Sequence, residues 1–413
     1  MLSGTARVPG DKSISHRALI LAALAVGESR IDGLNDGGDV LATIAALKAM
    51  GARIAPLGGG AWTVRGVGTG GLLQPEAPFA LGNSGTSARL LMGLVASHEI
   101  AAEFTGDASL SRRPMGRVAV PLRRIGASIS GDRLPLRIAG LYPAVPTRHR
   151  LDIPSAQVKS ALLLAGLNTP GITSVDGPPS RDHLERMLPL FGVDVTRQGD
   201  RISIRGEAEL KPRHYAIPGD ASAAAFLTVA ALIVPGSQIR IEGVGVNPTR
   251  IGLYEMLGKM GADLGFENAR EICNEPVADL LVRHSALTAV DVPPGLAPRM
   301  IDEYPVLCVA AAFAAGTTRM RGLAELRLKE SDRIAAIAPL GARAHGDDLL
   351  VAGTGGAALA GGFTIDPRLD HRVAMSFAVA GLHAREPIGI ADMSPIATSF
   401  PGFLSALGAL QSP

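Results

Sequence analysis

A hydrophobic residue, a glycine and a small residue close a helical pattern six times along this chain. The triplets are Met50-Gly51-Ala52, Ile125-Gly126-Ala127, Phe191-Gly192-Val193, Met260-Gly261-Ala262, Leu340-Gly341-Ala342 and Leu407-Gly408-Ala409. Successive glycines stand 66 to 80 positions apart, the spacing of a repeated supersecondary unit. Each glycine is placed where a helix ends on positive φ before the chain turns into a strand, such as Arg53-Ile54-Ala55 or Ser128-Ile129-Ser130. Each repeat carries a second, alanine-rich helix, predicted at 18–25, 88–97, 158–167, 222–233, 304–315 and 372–382, followed by a turn and a short β-like stretch. These second helices are apolar on every face and belong inside, under sheet, while the amphipathic partners face solvent. Pro121, Pro189 and Pro339 fall inside the amphipathic patterns, which predicts short or kinked helices there.

A coarser duplication lies above the repeats. Val8-Pro9-Gly10-Asp11-Lys12-Ser13 returns as Ile217-Pro218-Gly219-Asp220-Ala221-Ser222, and Arg30-Ile31-Asp32-Gly33 returns as Arg240-Ile241-Glu242-Gly243. Two domains of three repeats are therefore expected, 11–218 and 1–10 with 219–413, with the Pro-Gly-Asp segments as crossovers. A six-repeat solenoid is the alternative, and the half-chain offset favours two closed domains.

Composition narrows the function. Of 413 residues 47% are hydrophobic and 19% charged, which is a folded globular composition. A formal net charge of +2 and 4% aromatic residues argue against a broad nucleic-acid surface or base-stacking platform. Cys273 and Cys308 are too few for a disulfide framework or a four-ligand zinc site. The most apolar run, Ala221 to Val234, is too short to span a bilayer, and no signal-like segment opens the chain. A cytoplasmic enzyme is expected.

The apolar helices differ most at their N-termini. They open on Lys12-Ser13-Ile14-Ser15-His16-Arg17, on Asn83-Ser84-Gly85-Thr86, on Ser155-Ala156-Gln157, on Gly219-Asp220-Ala221-Ser222, on Asp302-Glu303-Tyr304 and on Asp370-His371-Arg372. A repeat scaffold would reuse one cap, so these sets point to a binding site. Lys12, Arg17, Arg113 and Arg372 oppose helix dipoles there, and Lys329-Glu330-Ser331-Asp332-Arg333 repeats the arrangement, with Lys329 and Arg333 on one face if the turn is helical. A shared anionic ligand resolves that conflict, and several guanidinium groups suit phosphate and carboxylate together. Asp302 and Glu330 are then the only carboxylates among many cations, one a plausible base and the other a proton shuttle. The bland alternatives remain open: a solvated charged turn at 329–333, a plain N-cap at Asp302 and a structural His371.

At this point the chain resembles the 5-enolpyruvylshikimate-3-phosphate synthases. The resemblance rests on Gly10 to Arg17, Leu81 to Arg89, Arg112-Arg113-Pro114-Met115-Gly116, Ser155-Ala156-Gln157, Lys329 to Arg333, Asp370-His371-Arg372 and Thr398-Ser399-Phe400-Pro401, in family order through nearly the whole chain. It implies an α/β fold, the two-domain inverse α/β barrel-like enolpyruvyl transferase fold of six βαβαββ repeats, three per domain, with the active site in the interdomain cleft. The implied substrates are shikimate 3-phosphate and phosphoenolpyruvate, with no metal or organic cofactor, no nucleic acid, no membrane and a monomeric chain. Carried over residue by residue, Lys12, Ser13, Arg17, Ser155, Gln157, Asp302 and Lys329 match shikimate 3-phosphate positions, and Arg181 resembles a further contact in one bacterial branch. Lys12, Gly85, Arg113, Gln157, Arg333 and Arg372 match the phosphoenolpyruvate site, and Asp302, Glu330 and Lys12 the catalytic positions.

Ala156 replaces a serine and Thr398 a lysine common in the family, wording similar to the class II branch that includes glyphosate-tolerant enzymes. Gly85 is nevertheless the glycine of sensitive members. Two rivals stand beside this reading. One is the UDP-N-acetylglucosamine enolpyruvyl transferase, which resembles the fold but uses a loop cysteine; the other is a non-catalytic anion-binding repeat protein.

Overall fold

The computed structural model of the chain describes residues 1–411. Two compact units result, Lys12–Ile217 and Met1–Asp11 together with the chain from Pro218 onward.

In the unit Lys12–Ile217 three four-stranded sheets share one pattern, in which a parallel pair is extended by two antiparallel strands. Phe79–Ala80 runs parallel to Ala101–Thr105, which pairs with Leu136–Ala139 and then Ser128–Ser130. Arg148–Arg150, Ile172–Asp176, Arg201–Arg205 and Val195–Gln198 repeat it. The sheet of Glu28–Asp32, Ala61–Arg65 and Arg53–Gly58 takes its parallel strand from His214–Ala216, the far end of the unit. Three inner helices cross beneath, α1 (Lys12–Leu24), α3 (Gly85–Ala96) and Ala156–Leu167, with α2 (Gly38–Ala49) beside the first. Every residue of α1 from Ile14 to Leu24 is buried, the apolar run from Ala18 together with the polar Ser15, His16 and Arg17 ahead of it.

The other unit follows the same plan. Ser3–Arg7 lies parallel to Gln238–Gly245, followed by Glu275–Arg283 and Asp263–Ile272. Asp291–Val292, Thr317–Met320, Asp348–Ala352 and Ala342–His345 form the second sheet, and Phe363–Ile365 pairs with Ile388–Ile390 alone. Its inner helices are Ala221–Ile233, Tyr304–Phe313 and His371–Gly381, all apolar and all but wholly buried.

Five of the repeat glycines have positive φ: Gly51, Gly126, Gly192, Gly261 and Gly341. Gly408 does not, because it lies inside the helix Phe403–Leu410, after which no hairpin follows among the described residues. The prolines act as expected. Pro121 sits in a nine-residue helix, while Pro189 and Pro339 open short 3-10 turns after truncated helices. Most of the inner helices begin before their apolar runs, at Lys12, Gly85, Ala156 and His371, and polar side chains cap the first turns of the last three. Ser84 and Ser155 accept from the N–H of Ser87 and Val158, and Asp220 and Asp370 accept from Ser222 and Arg372.

Glycine also sets how closely the inner helices pack. A methyl group on Gly93 would stand 2.1 Å from the Ala161 carbonyl oxygen, backbone against backbone. Gly93→Ala is expected to destabilise the protein by about 1–3 kcal/mol through forced separation of the helices. A urea unfolding midpoint identical to the native one would contradict this packing.

No helix among the described residues is long and apolar enough to cross a membrane.

Candidate active site

In the unit Lys12–Ile217 the candidate residues gather at the N-terminal ends of the inner helices. Lys12 opens α1, and its Nζ lies 2.8 Å from Asp39 Oδ2 in the first turn of α2. Arg17, one turn on and 2% exposed, donates from Nε and one Nη to Ser160 Oγ at 3.2 and 2.8 Å, and from the other Nη to the Ser13 carbonyl at 2.8 Å. The first residues of α1 are thus brought together with the helix that follows Ser155.

The second group surrounds the loop entering α3. Arg89 donates to the Gly85 carbonyl and to Gln157 Oε1 at 3.1 and 2.9 Å, while Gln157 Nε2 donates to Thr86 Oγ1 at 2.9 Å. Arg113 donates to the Asn83 carbonyl at 2.7 Å, and Asn83 Nδ2 donates to Asp107 at 2.7 Å. A methyl group on Gly85 would meet the Nη1 atoms of Arg89 and Arg113 at 2.8 and 2.9 Å, so the glycine lets both guanidinium groups lie close to this helix start. Arg113 does not open a helix. It closes the short helix Ala108–Arg112, and the next begins only at Gly116. Ser155 is the N-cap of Ala156–Leu167, and Arg181 lies half-buried two residues before the short helix His183–Met187.

The other unit holds the carboxylates. Arg333 is fully buried: its Nε donates to Asp370 Oδ2 at 2.8 Å, its Nη1 lies 3.3 Å from Asp302 Oδ1, and its Nη2 donates to Glu330 Oε2 at 2.5 Å. Burial opposes this charge, but Asp370, Glu330 and Asp302 outweigh it and raise the guanidinium further above its ordinary range. Lys329 Nζ also approaches Asp302 Oδ1, at 3.5 Å. Lys329 and Arg333 do not share a helix face. Lys329 is extended and Arg333 opens a four-residue helix, and the two converge on Asp302 instead. Asp302 is not an N-cap either, since Glu303 holds that position in Tyr304–Phe313.

Arg372 stands at the start of His371–Gly381 with Nη1 3.9 Å from Glu303 Oε1. Behind it, Glu303 accepts from Ser222 Oγ, which accepts from the buried Arg250 at 2.7 Å. His371 Nδ1 lies 3.4 Å from Thr398 Oγ1, so the threonine meets the imidazole there.

Asp302 and Glu330 are therefore not the only carboxylates beside the cations. Asp39, Glu303 and Asp370 accompany them, because buried cations require compensating charge. Sequence reasoning left these three out of the site. Each occupies the first turn or cap of a helix, where an acid is ordinary, and only burial distinguishes it.

The EPSP synthase (3-phosphoshikimate 1-carboxyvinyltransferase) family matches residues 1–407 of this chain. The chain belongs to the EPSP synthase family. It is 58% identical to the 3-phosphoshikimate 1-carboxyvinyltransferase of Sphingopyxis alaskensis, over 99% of this chain and 96% of that protein. The solved EPSP synthase from Acinetobacter baumannii superposes with a TM-score of 0.87 at 43% identity, covering 99% of this chain and 96% of that one. An enolpyruvyl transferase from Streptomyces tendae shares the fold, with a TM-score of 0.80 at 19% identity over 99% of this chain and 95% of that one. EPSP synthase membership thus accounts for the two-unit α/β enolpyruvyl transferase fold.

Proposed function

We propose that the protein is a 3-phosphoshikimate 1-carboxyvinyltransferase, which moves the enolpyruvyl group of phosphoenolpyruvate to the 5-hydroxyl of shikimate 3-phosphate and releases phosphate. Kinship with enzymes of that name over 99% of the chain carries this reading. The substrates bring phosphate and carboxylate groups that suit these clustered cations.

Lys12, Ser13, Arg17, Ser155, Gln157, Arg181, Asp302 and Lys329 hold shikimate 3-phosphate, while Lys12, Gly85, Arg113, Gln157, Arg333 and Arg372 hold phosphoenolpyruvate. Asp302 removes the proton of the 5-hydroxyl as its oxygen bonds to C2 of the enol. Glu330, with Lys12 assisting, delivers a proton to the C3 methylene. The tetrahedral adduct then loses a C3 proton to Glu330 as the bond from C2 to the phosphate oxygen breaks. Cations fixed before substrate arrives stabilise the charge that moves in both steps. These steps use side chains alone, in a chain that acts as a monomer.

The cysteine-dependent rival has little support. Cys308 is fully buried with its thiol pushed up by burial, and Cys273 lies in a hairpin turn between Ile272 and Glu275.

The test is NMR of protein incubated with both substrates. The phosphorus signal of phosphoenolpyruvate should give way to inorganic phosphate while the 3-phosphate persists, with new vinyl protons of an enol ether. Unchanged spectra with purified, folded protein would contradict the assignment.

Glyphosate is expected to compete with phosphoenolpyruvate. In Gly85→Ala the added methyl displaces the ends of Arg89 and Arg113 rather than backbone, so the fold survives and inhibition weakens. Inhibition of the native protein no stronger than that of Gly85→Ala would overturn this expectation.

A further inference from the structure

A hydrogen-bonded circuit joins three helix starts around Lys12. Lys12 and His16 lie one turn apart on α1, and Asp39 and Thr43 one turn apart on α2. Lys12 meets the Asp39 carboxylate at 2.8 Å, and the Asp39 carbonyl accepts from Ser87 Oγ of α3 at 3.1 Å. Ser87 Oγ lies 2.7 Å from Thr43 Oγ1 and 2.6 Å from Ser84 Oγ, and Thr43 Oγ1 lies 2.8 Å from His16 Nδ1. His16, Thr43, Ser84 and Ser87 are all 0% exposed.

The carbonyl fixes the direction of every link. A carbonyl only accepts, so the Ser87 hydroxyl proton goes to Asp39. Thr43 must then donate to Ser87, which leaves the threonine oxygen to accept from His16 Nδ1–H. Ser84 likewise donates to Ser87, while accepting the Ser87 backbone N–H at 3.2 Å. His16 is therefore the neutral Nδ1–H tautomer, with a buried Nε2 that has no hydrogen-bond partner among the described residues. Burial, and then Lys12 and Arg17, hold its pKa well below the ordinary value, so no further cation enters a cluster meant for anions.

We propose that His16, Thr43 and Ser87 are positioning residues for the transferase reaction: their directed chain holds the Asn83–Thr86 loop in register with Lys12, so that both meet phosphoenolpyruvate together. The chain touches no substrate in the scheme above. It acts through Lys12, by way of Asp39, and through the N-cap Ser84. The inference rests on the proposed function, in which Lys12 and Gly85 bind phosphoenolpyruvate.

The test compares Thr43→Val, which keeps shape and removes the hydroxyl, with Thr43→Ser, which restores it. Thr43→Val should raise KM for phosphoenolpyruvate about tenfold while kcat falls less than about threefold, and Thr43→Ser should stay within about twofold of native. A Thr43→Ser variant as impaired as Thr43→Val, or a Thr43→Val variant with native KM, would overturn the proposal. A second measurement does not depend on turnover. Nitrogen-15 NMR of histidine-labelled native protein should show His16, identified by the resonance that moves in Thr43→Ser, as the Nδ1–H tautomer, and an Nε2–H tautomer would break the chain. A native protein that shows this tautomer without turnover would sink the synthase reading and leave the circuit standing, and calorimetric titration of phosphoenolpyruvate into the two variants would then decide its role.

Discussion

Asp302→Asn is expected to lower kcat by roughly 10²–10⁴ with little change in KM for either substrate. Asparagine keeps the size of the side chain and can still accept from Lys329 and Arg333, which lie 3.5 and 3.3 Å from Asp302 Oδ1. It cannot take the proton of the 5-hydroxyl. Binding is thus preserved and the chemical step is lost, which separates a base from a counter-ion. Were Asp302 only a counter-ion, the loss of its negative charge would change KM and leave kcat nearly intact. Steady-state kinetics with each substrate varied distinguishes the two. Glu330→Gln should also lower kcat, because the neutral amide still meets Arg333 but no longer carries a proton to and from C3.

Arg333→Met is expected to cost about 3–5 kcal/mol of folding stability, the largest effect of any single substitution in the site. The guanidinium is fully buried and serves three carboxylates from different segments, Asp302, Glu330 and Asp370. Without it Asp370, itself 0% exposed, keeps among the described residues the Ser331 hydroxyl at 3.0 Å and the N–H of Arg372. Arg333→Lys should recover little, because one ammonium cannot reproduce three directed contacts of a planar fork. Chemical denaturation measures both variants. Native stability in Arg333→Met would show that the three carboxylates do not depend on this cation.

Much of the fold was legible because it rests on local signals. A glycine at positive φ after five of the amphipathic helices, and an alanine-rich helix without a polar face, are readable from neighbouring residues alone. The strand His214–Ala216 was not, because its partner Glu28–Asp32 lies at the other end of the unit and three residues carry no periodicity. Gly408 shows the opposite failure: the triplet is present, but among the described residues no following strand asks for the turn. In the site, Lys12 and Arg372 were legible because they stand at helix starts and oppose the dipole, whereas Arg113 closes a short helix and Lys329 is extended. Asp39, Glu303 and Asp370 were not, since an acid in the first turn of a helix looks like ordinary capping until its burial and partners are known.

Dependence of phosphate release on both substrates tests the central claim most directly. Purified protein should release inorganic phosphate from phosphoenolpyruvate only when shikimate 3-phosphate is present, one phosphate for each enolpyruvyl group transferred. Tight binding of either anion with no release, or release that ignores shikimate 3-phosphate, would contradict the account and remove the roles given to Asp302 and Glu330.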